Sequence, residues 1–443
     1  MDADDPKAAP TPLTHKRVLK IALPIVLSNA TVPILGAVDV GVVGQMGEAA
    51  PIGAVAMGAI ILTTIYWIFG FLRMGTVSLV GQAAGAGDDD EVSAWLTRAL
   101  LVAAVGGAGL ILLQIPIFWA AFELSPASDE VESLTRDYLF IRIWTAPAAI
   151  AVYALTGWLV AMERTGGVFW VQLVMNGINI ILNFVFVLGF GWGVAGVAIA
   201  TVIAEVIGAA LGLWFCRAAF VRPAWRDWPR VLRRAQLIRM ALLNTDILLR
   251  SLMLMIIFSS FVFLGARFGD VTLAANEVLI QFMYITAYAM DGFAFAAETL
   301  IARAYGRRDP ARVRRSAVMT SMWGMAVCCV TAGAFLLAGP WLIDVMAKDG
   351  QVQAEARDYL LYMVAAPLLG CAAWMLDGIF IGAGRGRDMR NMMAISFVLY
   401  WLAVLTLLPV LGNHGLWVAI LISFVARGVT LGARYPALER AAA

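Results

Sequence analysis

The stretch GVAGVAIATVIAEVIGAALGLWFCRAAFVRPAWRDWPRVLRRAQLIR, residues 193–239, decides how the chain is organised. Its opening run, taken as a span over 193–218, is long enough to cross roughly 30 Å of hydrocarbon and carries Glu205 as its one buried carboxylate candidate. Seven arginines then follow between Arg217 and Arg239, broken up by Pro223, Trp225, Trp228 and Pro229. No other connection in the chain is as long and as polar, and it separates six apolar runs from six. We read it as a topology determinant and an inter-lobe linker, in preference to a nucleic-acid or anionic-lipid surface.

The composition agrees. Of 443 residues, 62% are hydrophobic and 14% charged, with a mean hydropathy of +0.84. So few charges cannot clothe a water-facing surface, which rules out a cytosolic enzyme, a secreted disulfide scaffold and a disordered chain. Twelve spans are expected at about 20–44, 52–82, 94–119, 136–162, 168–188, 193–218, 237–266, 272–302, 316–338, 357–384, 391–410 and 416–434. The stretch from Met1 to Thr14, acidic and proline-containing, lacks the basic start and short apolar core of a cleaved signal, so the first span is expected to be retained. With the N-terminus placed inside, the inner segments collect 25 of the 32 basic residues, while one opposite loop is acidic at Glu123, Asp129, Glu130 and Glu132. Both termini are therefore expected in the cytoplasm. The resulting division is a tail over 1–15, an N-lobe over 16–218, a linker over 219–236, a C-lobe over 237–434 and a tail over 435–443.

Sliding the second half over the first by 221 residues aligns Gly85 with Gly306, Asp88 with Asp309, Tyr138 with Tyr359 and Gly157 with Gly378. A duplicated six-span unit has both copies running the same way, related by an axis along the membrane normal. Such a pair encloses a cleft, as in many alternating-access transporters.

Ionisable residues inside spans are costly and are functional candidates by default. Here they are Asp39, Arg73, Glu205, Asp246, Arg250, Glu277, Asp291, Glu298 and Asp377. Asp246 and Arg250, four apart, are expected to pair along one helix face. Asp291 and Glu298 share a face, and Arg73 is expected to neutralise a carboxylate across the interior. Asp39 has no basic neighbour in its span, and desolvation would raise its pKa into the range of a proton carrier. Gln172, Asn176, Asn179 and Asn183 fall at spacings of four, three and four, one continuous amide face that suits a wet cavity, with Thr201 and Glu205 completing the wall. Pro24 and Pro33 allow the first helix to bend. The two histidines and four cysteines offer no ligand cluster for a metal, and no cofactor is expected.

DGFAFAAETLIARAYG at 291–306, NTDILLRSLML at 244–254, NIILN at 179–183 and GVAGVAIATVIAE at 193–205 together resemble the multidrug and toxic compound extrusion (MATE) family, especially its DinF-like branch. The resemblance implies an all-α integral membrane fold of twelve helices in two six-helix lobes, a V-shaped transporter that exports drugs against inward proton or sodium flow. It implies cation coupling at Asp39, cavity positions at Tyr138 and Thr201, a bend at Pro24, and, from related branches, a C-lobe cation site at Asp377. This chain departs from the family pattern at Asn183, where an aspartate is common.

The expected function is a proton-coupled antiporter of amphipathic or cationic organic compounds in a bacterial inner membrane. The alternatives are sodium coupling, with Na+ at Asp39 among Asn176, Asn179 and Thr201, or a flippase for lipid-linked precursors. Small organic molecules and membrane lipids are the expected partners, nucleic acid is not, and the chain is expected to work as a monomer.

Overall fold

The computed structural model describes residues 12–31, 36, 38, 41–45, 49–124 and 127–443. Asp39 and Pro33 lie outside the described residues. The helices are α1 (His15–Asn29), α2 (Ala49–Ile68), α3 (Phe71–Ala86), α4 (Asp89–Leu112), α5 (Gln114–Leu124), α6 (Asp129–Arg142), α7 (Ala146–Ala161), α8 (Thr165–Asn183) and α9 (Gly193–Phe215) in the first half. The second half holds α10 (Arg234–Gly265), α11 (Asp270–Gly306), α12 (Pro310–Met346), α13 (Gly350–Gly382), α14 (Gly386–Leu411) and α15 (Asn413–Arg440). Among the described residues there is no strand, and eleven helical stretches are long and apolar enough to cross a membrane. They coincide with the second to twelfth expected spans; only the His15–Asn29 helix, with scattered residues beyond it, is described of the first. The all-helical membrane architecture stands as expected.

Local sequence explains where the spans are interrupted. The expected run 136–162 splits at a 3-10 turn, Ile143–Thr145, immediately before Pro147, whose ring supplies no N–H to continue the α-helical ladder. In the second half, Pro367 sits inside an unbroken α13. Burial sorts core from periphery: 61% of the apolar window of α13 is buried inside the protein against 22% for α14. The outward side chains of α14, such as Leu405 and Val410, suit a lipid environment.

Contacts divide the chain into two compact units. One comprises Leu27–Thr76 and Asp88–Arg239; the other comprises Val77–Gly87, Met240–Ala443 and the described part of Met1–Val26. The first packs Tyr66, Phe118, Phe122, Tyr138 and Leu139 into its core. The second packs Phe261, Phe282, Phe335, Tyr400, Trp417 and Phe424.

The 221-residue repeat is written into the backbone. Left-handed residues recur in register: Gly87 with Arg308 (φ 76° and 55°), Glu163 with Gly384 (56° and 68°), Gly191 with Gly412 (67° and 57°). Asp88 caps α4 by accepting from the Glu91 N–H at 2.9 Å, and Asp309 caps α12 by accepting from the Arg312 N–H at 2.9 Å. A Cβ on Gly157 would lie 2.7 Å from the Arg73 carbonyl oxygen, and one on Gly378 would lie 2.7 Å from that of Ala294, the residue 221 positions after Arg73. Within the second unit, a Cβ on Gly85 would fall 2.2 Å from the Arg303 carbonyl oxygen and one on Gly306 would fall 2.0 Å from that of Gln82. Gln82 and Arg303 are themselves 221 apart, so the ends of α3 and α11 cross about a local two-fold with glycine on each side.

Candidate functional site

In the first unit the amide face of α8 meets α9. Asn183 Nδ2 donates to Asn179 Oδ1 (2.9 Å), Asn179 Nδ2 to Thr201 Oγ1 (2.8 Å), and Thr201 Oγ1 to the Val197 carbonyl (2.9 Å). Below it, Gln172 Nε2 donates to Asn176 Oδ1 (3.2 Å), and Asn176 Nδ2 donates to Thr31 Oγ1 (2.8 Å), just past the end of α1. Asn176, Asn179 and Asn183 are all buried. Periodicity of 3.6 put these amides on one face, and the small residues of α9 let the hydroxyl of Thr201 come within reach. Immediately after Asn183 the helix loosens into a π-helical turn, Phe184–Gly189, a local irregularity common at functional sites.

A second polar group lies at the break between α6 and α7. Arg142 donates through Nη2 to Glu205 Oε1 and through Nη1 to Tyr138 OH (2.9 Å). Thr145 Oγ1 reaches Glu205 Oε2 at 2.5 Å, and Tyr66 OH donates to the Arg142 carbonyl at 3.4 Å. Arg142 and Thr145, three residues apart, reach the same carboxylate across the 3-10 turn, and Thr145 Oγ1 also lies 2.8 Å from the Arg142 carbonyl. Arg142 Nε remains buried without a hydrogen-bond partner. Glu205 is thus an ion-paired residue.

In the second unit the charged cluster has one cation in excess. Asp377 of α13 accepts from Arg250 Nη2 of α10, with Arg427 Nη1 of α15 at 3.7 Å from the same oxygen. All three are buried, and Arg250 Nε, Arg427 Nε and Asp377 Oδ1 have no hydrogen-bond partner. The expected pair along α10 does not form. Asp246 instead binds Arg390 of α14 at 2.6 Å, and Arg250 turns to Asp377. An i,i+4 pair on a helix surface is worth only about 0.3–0.5 kcal/mol, whereas leaving the buried Asp377 with only Arg427 at 3.7 Å would cost several times that. Of the other candidates, Glu298 is buried and Asp291 half-buried on α11, both with polar partners, and Arg73 is half-buried on α3 with its carbonyl against Gly157. Pro24 lies inside α1, which continues through it to Asn29.

Sequence reasoning passes over Arg142 and Arg427. Each lies inside an expected span, 136–162 and 416–434, and the rule that flags intramembrane charges would have found both.

The arginine-rich segment after α9 is docked, not free. It folds as two 3-10 turns, Arg217–Phe220 and Pro223–Arg226, and a one-turn helix, Trp228–Val231. The buried Arg98 of α4 donates to the Val231 carbonyl (2.8 Å) and the Arg230 carbonyl (2.7 Å), and pairs with Glu91 (2.6 Å). Thr97 Oγ1 donates to the Trp225 carbonyl (2.9 Å), and Arg222 pairs with Asp89 (2.7 Å). Cys216 at its start is buried against Leu155.

The MatE family model matches twice, over residues 24–185 and 247–405, once in each half of the duplication. DNA damage-inducible protein F of Escherichia coli is 38% identical over 427 residues, 95% of this chain and 92% of that one. A probable multidrug resistance protein NorM of Rhizobium meliloti is 26% identical over 88% of this chain and 85% of its own. Among solved structures, a MATE protein in the bent conformation aligns with a TM-score of 0.85 over 96% of both chains at 17% identity. A mutant of the Vibrio cholerae MATE transporter VcmN aligns with a TM-score of 0.85 over 96% of this chain and 97% of that one at 18% identity, a likeness of fold. With a duplicated helical membrane unit, the same family model found in each copy and a near-full-length relative at 38% identity, the chain belongs to the MatE family, a family of secondary transporters and not of enzymes.

Proposed function

We propose that the chain is a proton-coupled antiporter that exports amphipathic or cationic organic compounds by alternating access, with Asp39 as the proton carrier. The relatives' multidrug resistance names support the substrate class. The observation that carries the coupling site is made in the second repeat. The counterpart of Asp39 is Ser260, whose Oγ lies 2.9 Å from Tyr400 OH, and Tyr400 is the counterpart of Asn179. The counterparts of that pair 221 residues earlier are Asp39 and Asn179, which supports reading these two as partners in the coupling site. The other two carboxylates with family or cavity roles are neutralised, Glu205 by Arg142 and Asp377 by Arg250 and Arg427. Neither can take a second cation without expelling a guanidinium.

Proton coupling is favoured over sodium because a sodium ion wants several oxygen ligands, and the three side chains proposed to supply them beside Asp39 each already spend one lone pair on an amide. Asn176 Oδ1, Asn179 Oδ1 and Thr201 Oγ1 each accept an amide hydrogen bond. A flippase for lipid-linked diphosphates would need a basic cavity, and Arg250 is committed to Asp377. The chain is read as lying in a bacterial inner membrane with both termini in the cytoplasm, as the distribution of basic residues implies.

The test is transport in proteoliposomes with a proton gradient and a sodium gradient imposed separately, following a cationic dye and a labelled lipid-linked diphosphate. Dye movement driven by the proton gradient alone is expected. Movement that requires sodium, or lipid movement without dye movement, would overturn the reading.

A further inference from the structure

The repeat exposes a difference at one corresponding surface of α4 and α12. In the first copy the opening turns of α4 are acidic at Asp89, Asp90 and Glu91, and the docked arginine-rich segment covers them through Thr97 and Arg98. In the second copy the equivalents of Glu91, Ser93 and Ala94 are Arg312, Arg314 and Arg315, and those of Thr97, Arg98 and Leu101 are Val318, Met319 and Met322. The charge has reversed, and the groups that held the segment have become apolar. What remains is a cavity of about 610 Å³ whose lining includes His15, Arg314, Arg315, Val318, Met322 and one carboxylate, Glu439 of α15. Every lining residue belongs to the second unit.

Arg314 and Arg315 are exposed and form no ion pair among the described residues. Both sit in the first two turns of α12, where the helix dipole already presents positive charge, so cations there are unfavourable unless an anion joins them. Val318 and Met322 follow Arg314 at four and eight positions, an exposed apolar strip running about 12 Å along the helix from the basic end. His15 Nδ1 accepts from Trp323 Nε1 at 3.1 Å, tying the start of α1 to the wall of the cavity. A phosphate at one end and apolar contact at the other describe a lipid. On the orientation given by the basic residues, this end of α12 meets the cytoplasmic leaflet, where anionic headgroups gather basic side chains.

We propose that this groove is a binding site for one anionic phospholipid of the cytoplasmic leaflet, its phosphate held by Arg314 and Arg315 and an acyl chain laid over Val318 and Met322. The lipid takes the place that the chain's own basic segment occupies in the first repeat, with the signs exchanged. The site is separate from the amide ladder, so it stands or falls independently of the transport reading.

Native mass spectrometry of the full chain in detergent, titrated with dioleoyl phosphatidylglycerol, dioleoyl phosphatidylcholine or inorganic phosphate, tests it. Phosphatidylglycerol is expected to be retained over phosphatidylcholine. The double variant Arg314→Gln/Arg315→Gln should weaken phosphatidylglycerol roughly 30-fold, taking each basic side chain beside the headgroup as worth about fivefold. Arg314→Lys/Arg315→Lys should restore most of the affinity, and Val318→Asp should weaken binding with both arginines intact. A photo-reactive residue at position 322 should cross-link to the lipid. Unchanged binding in the glutamine variant, displacement of the lipid by inorganic phosphate, or cross-linking of position 322 to the acidic residues Asp2, Asp4 and Asp5 in place of lipid would each overturn the assignment.

Discussion

The two repeats share a backbone and differ in what they do with it. The face of α8 that carries Gln172, Asn176, Asn179 and Asn183 is matched on α14 by Met393, Phe397, Tyr400 and Val404. In the first copy these positions form a hydrogen-bonded ladder; in the second, Met393, Tyr400 and Val404 belong to the hydrophobic core, with Phe397 packed against it. Buried charge has diverged likewise. Arg142 with Glu205 is a balanced pair, while Arg250, Arg427 and Asp377 carry one cation in excess. The positions that set backbone geometry, namely the left-handed turns, the aspartate caps and the close-packed glycines, are kept in both copies. Duplication preserved what packing cannot change cheaply and freed the side chains facing the interior to specialise.

If the first repeat alone carries coupling, Asp39→Asn is the largest break available. It keeps size and much of the hydrogen-bonding capacity but removes titration, so a proton gradient has no differential affinity with which to bias the two transport states. Gradient-driven dye export in proteoliposomes should be lost while dye binding to the same purified protein persists. Ordinary pH-driven export by the variant would sink the assignment.

Arg250→Met probes the charge-rich second repeat. It leaves Asp377 buried with only the more distant Arg427, and should cost about 3 kcal/mol of stability, read as a lowered unfolding temperature in detergent. Asp377→Asn, by contrast, should impair coupled transport less than Asp39→Asn at equal expression. A greater loss at Asp377 would move the coupling site to the other half.

Gly157→Ala and Gly378→Ala sharpen the structural side of the comparison. Each places a Cβ 2.7 Å from a backbone carbonyl oxygen, and backbone cannot yield as a flexible side chain can. Losses of about 1–3 kcal/mol, similar at the two positions, are expected from thermal unfolding. Unequal losses would mean that the repeats are not packed alike.

The smallest effect concerns Asn183, where this chain departs from the family's carboxylate. Asn183→Asp would add a second acid to the wall proposed to face Asp39, and two neighbouring carboxylates resist joint ionisation, so one proton would be held to higher pH. The alkaline limb of the pH profile for dye export should move upward. An unchanged limb would argue against the proximity of these two positions.

Much of this was open to a reader of the letters alone. Apolar length identifies spans because a bilayer tolerates no unsatisfied backbone, a fixed offset of 221 reveals the duplication, and 3.6-residue periodicity gathers the four amides on one face. Charge pairing was not open in the same way. Asp246 and Arg250 have the right spacing to pair along α10, yet α13 and α14 bring Asp377 and Arg390 against it and each charge takes the partner that desolvation makes more valuable. Arg98 reads as one basic residue among many until the structure shows it buried and holding the linker by two carbonyls. Local periodicity determined the helices, their faces and their duplication, since these depend on residues within a few turns of one another. Which charges meet, which are neutralised, and which surface of α12 is left open while its mate on α4 is covered depend on helices brought together from across the chain, and only the tertiary structure decided them.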